Sequence, residues 1–192
     1  MADVLPNVEG DAGQLIQATP VVIVNSQGVI GGDLVNVAGK QSFTRPNDTT
    51  AYAAGDLIAN DTTAGSVLGL AITGATLSGN GGSGTITSVL LNKTGTAVAQ
   101  IRAHFLKTQH AVSNGDNGGL AFTSIDLDNY IGFADINLAD VATGGVFGQA
   151  DVSIDYELAT GDTIYCFLEA LAAYTPIAVA VMTVVAKFRR YA

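Results

Sequence analysis

From Ala99 to Phe105, and again from Val152 to Leu158, apolar and polar residues alternate one for one. Ala99, Ile101, Ala103 and Phe105 share one side, and Gln100, Arg102 and His104 the other. In the second run Val152, Ile154, Tyr156 and Leu158 oppose Asp151, Ser153, Asp155 and Glu157. A period of two belongs to a β-strand with one buried and one wet face. Two such strands need a partner sheet to bury the apolar side, and that excludes a helical bundle.

The rest of the chain agrees. The runs 66–72 (SVLGLAI), 85–91 (TITSVLL), 163–171 (TIYCFLEAL) and 178–188 (AVAVMTVVAKF) are more continuously apolar and read as inner strands. Residues 78–84 (SGNGGSG), 92–96 (NKTGT) and 159–163 (ATGDT) supply the glycines of short connections. Residues 113–119 and 142–145 read as further loops. Residues 124–142 fit two templates. Leu127, Tyr130, Ile131, Ala134, Leu138 and Val141 would share a helix face, but Gly132 sits mid-run and YIGFADI reads as a strand, which is the reading adopted. Charged residues make up only 13% of the 192, about half the usual share, so surface helices lack their usual material. The expectation is an all-β fold, a β-sandwich of jelly-roll type, over residues 40–192. Residues 1–39 lack periodicity and read as an irregular N-terminal arm.

Residues 170–186 carry no charge, but Pro176 divides them and their second half is β-branched. They are expected to form two buried strands joined at YTP rather than a membrane helix. Residues 1–14 lack the basic-then-apolar order of a secretory leader. A net charge of −9 argues against binding nucleic acid or an anionic membrane through bulk charge.

Catalytic chemistry is hard to assemble. The two histidines, His104 and His110, lie on and just beyond one strand, and no nucleophile elbow is present. Cys166, the single cysteine, sits in an apolar run and reads as a buried hydrophobe. Asn114, Asp116, Asn117, Asp126, Asp128 and Asn129 offer calcium-type oxygens, but Asp, Asn and Gly are also ordinary turn residues. The expectation is no enzyme, no cofactor and no metal.

One corner stands out. Residues 43–60 (FTRPNDTTAYAAGDLIAN) bring Phe43, Arg45 and Tyr52 around a turn stopped by Pro46. Two readings are open: a structural corner, or a contact surface, since Arg and Tyr are favoured interface anchors. On Phe43-Thr44-Arg45-Pro46, Thr50-Ala51-Tyr52 and Gly55-Asp56, residues 39–60 resemble a segment of small structural proteins of tailed bacteriophages. Residues 88–108 and 161–176 are similar to later strands of the same group. The resemblance implies a capsid decoration, or cement, protein. It would be made in the host cytoplasm and placed on the virion surface, often as a homotrimer, bridging major capsid protein subunits without nucleic acid or membrane. Phe43, Arg45 and Tyr52 are then candidate subunit or capsid contacts, and the arm would reach a neighbour. The alternative is a receptor- or glycan-binding module of a virion fibre or surface structure, with exposed aromatics beside Asp or Asn at its loop ends.

Overall fold

The computed structural model describes residues 24–25, 28–29, 35–77, 79–142 and 144–191. Internal contacts divide the chain into residues 1–32 and 33–192. In the first unit Val24–Asn25 (β1) pairs antiparallel with Gly28–Val29 (β2). The arm expected over residues 1–39 otherwise falls, as far as residue 34, outside the described residues.

The second unit contains Val35–Thr44 (β3), Leu57–Ile58 (β4), Leu70–Ile72 (β5), Gly82–Thr94 (β6), Gln100–Leu106 (β7), a helix Ser124–Asp128 (α1), Tyr130–Asn137 (β8), Ala139–Ala142 (β9), Gly145–Leu158 (β10), Ile164–Ala170 (β11) and Val181–Arg190 (β12). One sheet, here sheet I, has the order β3-β12-β6-β10-β9. Sheet II has the order β4-β11-β7-β8, with β5 also on β11. All ladders are antiparallel. The pairings are nested. β3 pairs with β12, β4 and β5 with β11, β6 with β10, and β7 with β8. A long antiparallel hairpin rolled into two facing sheets has this pattern, and it makes the sandwich a jelly roll.

The core lies between the sheets, as the period-two pattern requires. Ile86, Val89 and Leu91 of β6 meet Ile101, Ala103 and Phe105 of β7, with Cys166, Leu168, Val184 and Phe188 closing around them. Each buried Val, Leu, Ile or Phe among them contributes about 1.5–3 kcal/mol. A second cluster sits on the opposite face of sheet II, where Leu106 and Phe167 pack against Leu57, Ala59, Val67 and Val112. Leu120, Phe122 and Tyr130 pack against it. The β7–β8 connection therefore carries apolar cover for a face that would otherwise be wet.

Several elements differ from the sequence expectation. β3 starts at Val35, within the stretch read as arm, and is a full ladder partner of β12 from Val35↔Arg190 to Val181↔Thr44. Gly39 explains why this stretch looks loose. A Cβ there would stand 2.4 Å from the Thr73 carbonyl and 2.5 Å from Ile72 Cγ2. The run 66–72 forms a strand only over its last three residues. The run 124–142 is mostly strand, as read, but begins with one helical turn. Thr123 caps it, and Asp126 completes a capping box, so the cap outweighs the strand pattern there. The stretch 170–186 is not two strands meeting at YTP. β11 stops at Ala170 and β12 starts at Val181, because Tyr174 is drawn into a separate contact described next.

Candidate functional site

β3 ends where Pro46 removes a ladder donor. The Arg45 N–H still reaches the Ala180 carbonyl at 2.9 Å. This turns the Arg45 side chain inward, where it is 2% exposed. Its Nη2 donates to Asp116 Oδ2 at 2.7 Å, and its Nε donates to the Tyr52 hydroxyl. That hydroxyl in turn donates to Asp116 Oδ1 at 2.6 Å, and the Ala59 N–H donates to the same oxygen at 2.7 Å. The Arg45 guanidinium carbon lies 4.6 Å from the Tyr52 ring centre. Tyr52 stacks on Tyr174 at 5.0 Å, and the Lys93 ammonium sits 5.4 Å from the Tyr174 ring centre. The Tyr52 N–H bonds the Tyr174 carbonyl at 3.0 Å. That bond holds residues 171–180 as a loop rather than a strand.

The network ties three segments together: the β3–β4 corner, the β7–β8 connection and the β11–β12 loop. Burial lowers the Arg45 pKa, but Tyr52 and Asp116 outweigh it and the net shift is upward. Burial first, then the bond to Asp116, pushes the Tyr52 phenol upward. Burial and the nearby Arg45 push Lys93 downward. Buried charges held by several hydrogen bonds are stable as a set and costly when one member is removed. Chemically this is a lock: both Asp116 carboxylate oxygens carry protein donors.

The candidate contact residues are thereby located. Phe43 is partly buried against the main core. Arg45 and Tyr52 are inside the protein, Tyr52 at 1% exposure. Both side chains point inward rather than onto the surface that the contact reading expects of them. Sequence reasoning missed Asp116 and Tyr174 as their partners. The available signal was compositional: a chain with 8 cations that places one in an apolar corner needs an anion for it. The calcium candidates are dispersed. Asp116 is in the lock, Asp126 caps α1, and Asn129 is its C-cap. No group of three His, Cys, Asp or Glu residues suited to a metal occurs among the described residues. Cys166 is buried, and burial pushes its thiol upward.

His104 lies on the outer face of sheet II in a second polar set. Its Nδ1 is 2.8 Å from the Tyr130 hydroxyl and its Nε2 is 2.9 Å from Glu169 Oε2. Beside it Arg102 makes a two-pronged pair with Asp135 at 2.6 and 2.9 Å, and its guanidinium carbon lies 4.1 Å from the Phe133 ring centre. An acid, an imidazole and a hydroxyl in line have the order of a catalytic relay. Here burial pushes the Tyr130 hydroxyl up to about 12, the reverse of activation. Burial also lowers His104; Glu169 opposes this without outweighing it. The neutral imidazole is thus the native form. Its contribution is present above about pH 6.5 and is lost as pH falls below that, where the unfolded chain takes up the proton. Melting temperature should therefore drop on acidification below about pH 6.5, and His104→Gln should flatten that part of the profile. An unchanged profile in the variant would show that His104 does not contribute.

No family model matches the chain, and no curated protein matches it. The family read from residues 39–60 thus has no counterpart in the comparison with family models. Among solved structures, a chain from the full particle of Israeli acute paralysis virus heated to 63 degree overlays with a TM-score of 0.31 at 8% identity, covering 99% of this chain and 79% of that one. A chain of black queen cell virus gives 0.28 at 10% identity, covering 98% and 84%. Scores this low do not establish a shared fold, and the jelly-roll assignment rests on the strand pairing itself.

Proposed function

We propose that the chain is a virion structural protein that binds the outside of a capsid shell and cements it by bridging major capsid subunits. The observation that carries this reading is the fate of the residues behind the resemblance. Arg45 and Tyr52 join Asp116 in the corner that locks three segments of a jelly roll, and Phe43 packs on the main core beside it. A motif of that kind marks a fold rather than a catalytic site, as suits a protein whose work is binding. The polar set around His104 supports the same reading, because its hydroxyl is held neutral rather than activated. The exposed aromatics, Phe133 and Tyr191 among the described residues, lie on β8 and just past β12. They are not at loop tips beside Asp or Asn, where a glycan binder would need them.

Purified protein should add back to expanded capsids that lack it, in fixed stoichiometry on the shell surface. Electron microscopy of capsids with and without added protein reads this directly. Virions whose head shells never carry the protein would rule the role out. The same particle images test the three-fold assembly that the resemblance implies.

A further inference from the structure

The outer face of sheet I divides its charges by strand. β12 presents Lys187 and Arg189 outward, and Lys40 does the same on β3; all three are exposed. β10 presents Asp151, Asp155 and Glu157 outward, all exposed. Between them β6 offers only short or uncharged groups on this face, Thr85, Ser88 and Leu90. None of the three cations has an ion pair among the described residues. This is conspicuous in a chain of net charge −9.

Register makes the division orderly. Lys187 pairs with Ser88, which pairs with Asp151. Arg189 pairs with Thr85, which pairs with Asp155. Each row across the sheet therefore reads cation, hydroxyl, acid. Cation and acid strands are about 10 Å apart across β6, close to a Debye length, so within one chain the two stripes attract only weakly. The Ser88 hydroxyl in the middle is buried and has no hydrogen-bond partner among the described residues, while Asp155 accepts from Thr85 through Oδ1.

We infer that this face binds a second copy of the chain, sheet against sheet, about a two-fold axis running along β6. Such an axis lays β12 of one copy over β10 of the other and keeps the rows aligned. Lys187 then faces Asp151 of the second copy, Arg189 faces its Asp155, and each pair occurs twice. The other in-plane axis, across the strands, would set cation over cation. Sheets pack face to face at about 10 Å; along the axis β6 contributes Thr85, Ser88 and Leu90, and the Tyr191 hydroxyl reaches over Thr85 at 2.8 Å, so these uncharged groups form the centre of the contact. Charge complementarity fixes register and rejects the mismatched alignment. The pairing rests on the sheet alone and is independent of the virion role. It predicts a two-chain species, unlike the three-fold assembly implied by the resemblance.

Sedimentation of three proteins tests it: wild type, the cation-reversed variant Lys187→Glu/Arg189→Glu, and the acid-reversed variant Asp151→Lys/Asp155→Lys. Wild type should form two-chain particles that dissociate as salt rises. Each variant alone should self-associate roughly a hundredfold more weakly, because like charges now face each other. Their equimolar mixture should recover a one-to-one pair. Circular dichroism confirms that each variant is folded; a misfolded pair of reversals is replaced by Lys187→Gln with Asp151→Asn, which should weaken association about tenfold. A wild type that stays single at every salt concentration, a three-chain species, or a mixture that does not pair would overturn the inference.

Discussion

Replacing Asp116 with alanine is expected to destabilise the protein by about 3–5 kcal/mol. The change removes the acceptor of three donors at once, Arg45 Nη2, the Tyr52 hydroxyl and the Ala59 N–H, and leaves the guanidinium with the longer 3.6 Å contact to Asp48. Arg45 and Asp116 side chains have no solvent exposure, so water does not take over the lost partner. For a domain of this size that loss lowers the melting temperature by roughly 6–20 °C. Thermal unfolding of D116A beside wild type measures it. The double variant Arg45→Met/Asp116→Leu should recover much of the loss, because it removes the charge together with its counter-charge. A D116A protein as stable as wild type would mean that the lock contributes nothing. Arg45→Lys should fall between, since an ammonium cannot span Tyr52 and Asp116 as a planar fork does.

Gly115→Ala should destabilise by about 1–3 kcal/mol, the range of an overpacked site. A Cβ at Gly115 would lie 2.1 Å from the Thr62 carbonyl oxygen and 2.3 Å from its carbon. Both are backbone atoms, so the loop itself must move. That loop positions Asp116, whose N–H bonds the Asp61 carbonyl at 2.7 Å. Four residues along, Gly119 has nothing within 4 Å of the corresponding position. Gly119→Ala should then stay within about 0.5 kcal/mol of wild type. Denaturant midpoints of the two variants give the comparison. Equal midpoints would sever the link between close backbone approach and the lock.

The strands that were legible are those whose two faces meet different surroundings. β7 and β10 alternate because one side faces the core and the other is polar. His104 shows the limit of that rule: it lies on the outer side, as read, yet is buried by Phe122 from the β7–β8 connection and Tyr130 at the start of β8. β3 was harder to see, because its ladder to β12 is made by backbone groups and Gly39 interrupts the side-chain pattern. The loop at 171–180 could not be read from its own residues. Nothing local to Tyr174 announces Tyr52 as its stacking partner. The lock was half legible. Arg45 and Tyr52 lie seven residues apart in one corner, whereas Asp116 is 71 residues from Arg45 and sits in a stretch that reads equally well as a plain turn.

The nested pairing also sets a timetable for synthesis. β12 lies between β3 and β6 in sheet I, and β3 has no other ladder partner among the described residues. As the chain leaves the ribosome, the first long strand of the sandwich waits for the residues of Val181–Arg190 before it can dock. Until then both β3 and β6 offer an open flank to other nascent chains. Folds dominated by such distant pairings close in milliseconds to seconds rather than microseconds, and unpaired flanks are where misassembly begins. The yield of native protein should then fall as the concentration of nascent chains rises, which expression at graded induction levels measures.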